Sequence, residues 1–163
     1  MLLPHRIAEY ESYVLRGDNV VRNLLSDEYD ADVSLDPESD SARYRVLLMD
    51  RVVDRIHDTV VRHGAKLLLL IIPESCDVSE RCDVSQLRHA YAGYRPSGLT
   101  SALEAIARRQ GIVCLNLFEP FRQHAADGLY YQFDQHWNPE GQLLAARLST
   151  RAIAGAGLIG SNK

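Results

Sequence analysis

The chain is poor in several features that usually mark a short sequence. Among its 163 residues are one Trp, two Met and three Cys. The cysteines, Cys76, Cys82 and Cys114, form an odd set without CxxC spacing, so neither a disulfide framework nor a zinc knuckle is indicated. The longest apolar run, "LLLLIIP" at residues 67–73, is far short of the roughly 18 residues a membrane span requires. No basic stripe is present: 18 Lys and Arg are mixed with 22 Asp and Glu, for a formal net charge of -4, which argues against nucleic acid as a partner. The start, "MLLPHRIAEYES", lacks a continuous apolar segment and a small-residue cleavage site, and on that basis the chain reads as cytoplasmic.

What is present fits one globular domain. Hydrophobic residues make up 46% and charged residues 25%, and a chain of this length supports a single core. The expected domain is residues 1–163. Within it, residues 1–41 read as a hairpin turning at Gly17-Asp18-Asn19, followed by an acidic, turn-rich loop, "SDEYDADVSLDPESDS".

Helix and strand signals then alternate. Between residues 42 and 63 apolar side chains recur at three- and four-residue steps, giving a helix with one buried face that Gly64 ends. Residues 67–72 follow as a continuous apolar strand of the kind covered on both faces in a parallel sheet. A second unit repeats the order, with a helix over "GLTSALEAIARRQ", Gly111, and a strand at residues 112–117. The two strands are expected to be adjacent and parallel. A last helix begins at Asn138-Pro139, a capping residue followed by the one residue whose missing N–H costs nothing there.

Ligands of open parallel sheets bind beyond the carboxyl ends of the strands. Two long segments leave those ends, one from Pro73 to Gly98 and one from Glu119 to His136. The second contains "FDQHWN", in which Asp134 is close enough to fix the tautomer of His136 and make it a general base. A structural Asp–His pair is the plain alternative.

The block "LYYQFDQHWNPEGQLLAARL" resembles the last block of the SGNH, or GDSL-type, esterases and acyltransferases, in the branch reading Asp-x-His-Trp-Asn followed by Gly and a helix. The preceding order of helix, "LLLLIIP", long loop, helix and "GIVCLNLFEPFR" is similar to the C-terminal half of such enzymes, over residues 42–159. The resemblance implies a three-layer α/β, flavodoxin-like fold with a reduced parallel sheet and without N-terminal strands. It also implies an esterase or acyl-transfer activity of the serine-esterase type on a small ester or acyl substrate. In it Asp134 would orient His136 as base, with Trp137 and Asn138 shaping the turn. The family's Gly-Asp-Ser nucleophile block and its oxyanion-hole blocks do not occur in the sequence. Ser75 and Cys76, just after the first strand, are the positions where a substitute nucleophile could stand. Asp134, His136 and Glu74 or Asp77 are metal-ligand types without diagnostic spacing, so no metal or other cofactor is expected. Exposed sheet edges point to a homo-oligomer, or to a second polypeptide carrying the N-terminal half; a non-catalytic assembly module is the alternative function.

Overall fold

The computed structural model describes residues 28–79, 84–124, 128–131 and 136–159. The expected hairpin at Gly17–Asn19, together with Cys82 and Asp134, lies outside them.

Nine elements follow in order among the described residues. They are α1 (Glu28–Leu35), α2 (Asp40–Arg62), β1 (Leu68–Ile71), α3 (Ser75–Val78), α4 (Ser85–Ala90), α5 (Gly98–Arg109), β2 (Val113–Asn116), α6 (Phe118–Gln123) and α7 (Pro139–Gly155). β1 and β2 pair in parallel, with Leu68 opposite Val113 and Ile71 opposite Asn116, and α5 carries the chain from one to the other. Gly64 and Gly111 precede the strands at φ 70 and 67, where a β-carbon would be strained. The expected adjacent, parallel pair is therefore what the chain forms.

Strand periodicity divides the interior into two cores. Leu69 and Cys114, cross-strand partners, point to the side of α2 and α5, where Val53, Ile106, Ala107 and Ile112 are buried with Val46 and Met49 around them. Leu70 and Leu115 point the other way, to Leu117, Phe118, Phe121, Leu129, Tyr130 and Ala145 of α6, α7 and the segment between them. Helices, a small parallel sheet and helices make three layers of mixed α/β structure.

Three expectations are corrected. Much of the acidic segment is not a loop, because residues 28–35 form α1 and Ser39 caps α2 by accepting from the Ala42 N–H at 3.1 Å. The acidic composition concealed how the charge is held. Asp32 is 1% exposed, accepts a 2.5 Å hydrogen bond from Ser41 Oγ and lies 3.5 Å from Arg45 Nε, so Val33 and Leu35 can be buried beside it. Gly98 admits this arrangement: a β-carbon there would stand 2.7 Å from the Val33 carbonyl oxygen and 2.8 Å from Ser34 Cα. The long segment after β1 is also not a plain loop, since it folds into α3 and α4. Finally, Cys76 is disulfide-bonded whereas Cys114 is free, against the reading that no disulfide is indicated.

Candidate functional site

The carboxyl ends of β1 and β2 open onto one side of the molecule. From β1 the chain passes through the buried Pro73 to Glu74, which stands at the cap position of α3. Ser75, Cys76 and Val78 are buried there. Cys76, held in a disulfide, has no thiolate to offer, which removes it as a substitute nucleophile. Ser75 is 7% exposed, at the first position of α3.

From β2 the chain runs through α6 to a short antiparallel bridge between Tyr130 and Trp137. The Tyr131 N–H donates to the His136 carbonyl oxygen at 2.9 Å, and the Asn138 N–H donates to the Leu129 carbonyl oxygen at 2.8 Å. Asn138 then works in both directions. Its Oδ1 accepts from the N–H groups of Glu140 and Gly141, capping α7, while its Nδ2 donates to the Gly128 carbonyl oxygen at 2.9 Å. Trp137 is half-buried beside Phe121, which also meets the Tyr130 ring edge-on at a centroid distance of 5.9 Å. Gly141 completes the fit: a β-carbon would stand 2.5 Å from the Leu129 carbonyl oxygen and 3.0 Å from Trp137 Cβ.

His136 is thus carried on an anchored backbone, with its residue exposed. Asp134 lies outside the described residues, and so does its relation to the His136 ring. The Trp137–Asn138–Gly141 geometry gives the quoted block a concrete task, which is to fix the entry of α7 under the bridge.

The two segments are joined by Tyr130, whose Oη donates a buried 2.8 Å hydrogen bond to the Pro73 carbonyl oxygen. Burial pushes the Tyr130 phenol up, and the charges of Glu74 and Asp77 push it further. Tyr94 is similarly raised, to about 12, by burial and by Asp77, with Arg88 opposing. Asp77 itself is raised to about 7, mainly because it is removed from water and secondarily because Glu74 is near; a backbone hydrogen bond at Glu74 opposes both. A carboxyl group titrating near neutrality can give or take a proton at ordinary pH. Sequence alone supplied only Asp77's residue type, because burial on a four-residue helix leaves no periodic trace. Among the described residues no group of three His, Cys, Asp or Glu could hold a metal ion, and no helix is long and apolar enough to cross a membrane.

Comparison with known proteins agrees with this architecture. The probable alginate O-acetylase AlgJ of Pseudomonas putida (strain KT2440) is 29% identical over 110 residues, an alignment covering 64% of this chain and 26% of that protein. The chain therefore corresponds to about a quarter of that relative's length. No solved structure matches the chain. The model of the SGNH hydrolase-like domain of the acetyltransferase AlgX matches residues 29–162, so that α1 is included along with the segment from residue 42 onward. This chain belongs to that family of SGNH hydrolase-like, acyl-transfer-related domains.

Proposed function

We propose that the chain provides the base of an acyl-transfer site, with His136 taking the proton from an acceptor hydroxyl or from water while Asp134 orients its ring. The observation that supports this reading is the anchored bridge of Tyr130 with Trp137, the residue next to His136, together with the bond from the Tyr130 hydroxyl to Pro73 just after β1. The relative's name, an alginate O-acetylase, supports an acetyl donor and a polysaccharide hydroxyl as acceptor. Esterase activity is the same chemistry with water as acceptor. The nucleophile and oxyanion donors, which the sequence lacks as motifs, are assigned to a second polypeptide segment. Ser75 is the substitute within this chain, although its burial at 7% exposure disfavours attack on an external substrate.

Hydrolysis of p-nitrophenyl acetate tests the reading. We expect a slow rate, at least about two to three orders of magnitude below a site with a complete oxyanion hole. His136→Ala removes it and Asp134→Asn reduces it. An unchanged rate in His136→Ala would reject the base and leave a non-catalytic module.

Two further proposals concern surroundings. The Cys76 disulfide supports an oxidising compartment rather than the cytoplasm. Thiol titration of the denatured, unreduced chain checks it, since full reactivity of all three cysteines would remove the argument. A second copy of the chain is proposed as the partner, supported by the exposed apolar stripe Tyr44, Leu48, Val52 and Ile56 on α2 and by the pairing of β1 with β2 alone among the described residues.

A further inference from the structure

The pairing of β1 with β2 leaves the other edge of β1 open, and the register says which backbone groups lie there. The Leu117 N–H donates to the Ile71 carbonyl oxygen at 3.0 Å, so Ile71, and Leu69 in step with it, turn their backbone groups toward β2. Leu68, Leu70 and Ile72 turn theirs outward. Among the described residues no backbone group bonds to these outward N–H and C=O groups. The outer edge of β2 is shorter, because the Ile112 N–H already donates to the Ala107 carbonyl oxygen at 2.9 Å and the chain turns into α6 directly after Leu117.

An unpaired edge is a template for another strand, and edges that stay single are usually blunted by Lys, Pro or a bulge. Residues 67–72 contain neither Lys nor Pro nor any other charged residue. Lys66, just before them, has its ammonium committed to the Gly157 carbonyl oxygen, and Pro73 bounds the other end. Leu68 and Leu70 are half-buried, and Ile72 is 45% exposed.

We propose that this edge pairs antiparallel with the same edge of a second copy, with Leu70 on the two-fold axis, so that one sheet runs through both chains in the order β2, β1, β1, β2. The pairing rests on the second copy proposed above and gives that copy a surface and a register. Centring on Leu70 places Leu68 opposite Ile72 of the second copy, so every outward residue faces another outward residue, the arrangement in which a pair exchanges both N–H···O bonds. A two-residue shift either way would set Leu68 against Glu74, beyond Pro73, or Ile72 against Lys66. The helices agree with the same axis. α2 lies in the layer over Leu67 and Leu69 and leads through Gly64 into β1, whereas its neighbour α5 packs mainly on β2. A two-fold axis perpendicular to the sheet makes the β1 strands and the α2 helices antiparallel alike, so the exposed stripe of Tyr44, Leu48, Val52 and Ile56 meets its copy about the axis that pairs the edges. That stripe is small beside the roughly 1,200 Å² at which stable interfaces begin, and the edge adds both area and directional bonds.

Hydrogen exchange of the isotopically labelled full chain by NMR, read at concentrations on either side of the association midpoint found by light scattering, tests the pairing. We expect the amides of Leu68, Leu70 and Ile72 to be protected in the dimer and to lose protection on dilution, while those of Leu69 and Ile71, bonded to β2 in either state, keep theirs. Ile72→Lys puts a charge on the edge opposite Leu68 of the second copy and should raise the dissociation constant about tenfold without altering the protection of Leu69 and Ile71. A dimer whose outward amides exchange alike at every concentration overturns the edge pairing and leaves the second copy on α2 alone. Outward amides protected at every concentration, with the mass fixed at 18.3 kDa, would show the edge covered from within the chain and overturn the proposal. A mass of 18.3 kDa with unprotected outward amides removes the second copy, and the pairing with it.

Discussion

Tyr130 Oη and the Pro73 carbonyl oxygen are joined by a buried hydrogen bond of 2.8 Å between segments 57 residues apart. This bond connects the carboxyl end of β1 to the bridge on which His136 is carried. Removing the donor leaves a buried acceptor without that partner, at a cost of about 1–3 kcal/mol. Tyr130→Phe retains the ring that packs on Phe121, so the loss in urea denaturation should approach the lower end of that range, with little change in m. A variant as stable as the parent would show that the bond contributes nothing to holding the two segments together.

Gly141 is the second point at which the site depends on one atom. Alanine there would bring Cβ to 2.5 Å from the Leu129 carbonyl oxygen, and that oxygen accepts from the Asn138 N–H, so α7 must move or the bridge must open. Overpacking of this kind typically costs about 1–3 kcal/mol. At Gly155, the end of the same helix, an added methyl would meet nothing within 4 Å, and Gly155→Ala serves as the control. We expect a lower melting temperature and loss of any ester hydrolysis for Gly141→Ala, and neither for Gly155→Ala.

Much of this architecture was legible from the sequence. Gly64 and Gly111, each followed by an apolar run, announced the paired strands, and Asn138-Pro139 announced the α7 start because capping is a local property of a few residues. What escaped is non-local. Asp32 looked like part of a solvated acidic loop because its stabilising partners, Ser41 and Arg45, become neighbours only when α1 folds against α2. The need for Gly at 98 and 141 arises from close approach to α1 and to Leu129, which no spacing rule encodes. Asp77 was visible as a residue type, but its raised pKa depends on burial beside Glu74.

That raised value predicts how stability depends on pH. The folded-state value of about 7 lies above the ordinary 3.8, so the folded chain holds this proton more tightly than the unfolded chain does. The contribution is complete below about pH 4, declines as pH rises, and is lost above about pH 7. A displacement of that size corresponds to roughly 4 kcal/mol, which hydration of a half-buried carboxyl reduces to about 2 kcal/mol. Denaturation at pH 5 and pH 8 should therefore show a larger fall for the parent than for Asp77→Asn. Equal falls would mean that Asp77 titrates as an ordinary carboxylate.

The exposed stripe on α2 leads to a prediction about association. Tyr44, Leu48, Val52 and Ile56 follow one another at four-residue steps and are 63%, 52%, 50% and 47% exposed, beside the face that Val46, Met49 and Val53 turn to the core. Four-residue spacing keeps them on one slowly drifting line of the helix, so the stripe can pack antiparallel against its own copy, with Leu48 of one chain opposite Val52 of the other. Together they offer roughly 400 Å² per chain, within the size range of the largest apolar patches on ordinary monomers. Two such stripes bury roughly 800 Å², below the 1,200–2,000 Å² or so of stable interfaces. The stripe alone should therefore give a weak, concentration-dependent dimer, tightened only where the β1 edge joins the contact. Light scattering should show a mass rising from 18.3 kDa toward twice that value as concentration increases through the micromolar range. Leu48→Glu places a charge opposite Val52 and should hold the mass at the monomer value while leaving helical content unchanged, because Leu48 lies outside the buried face. A mass of 18.3 kDa for the parent at every concentration would reject the second copy as the occupant of this stripe.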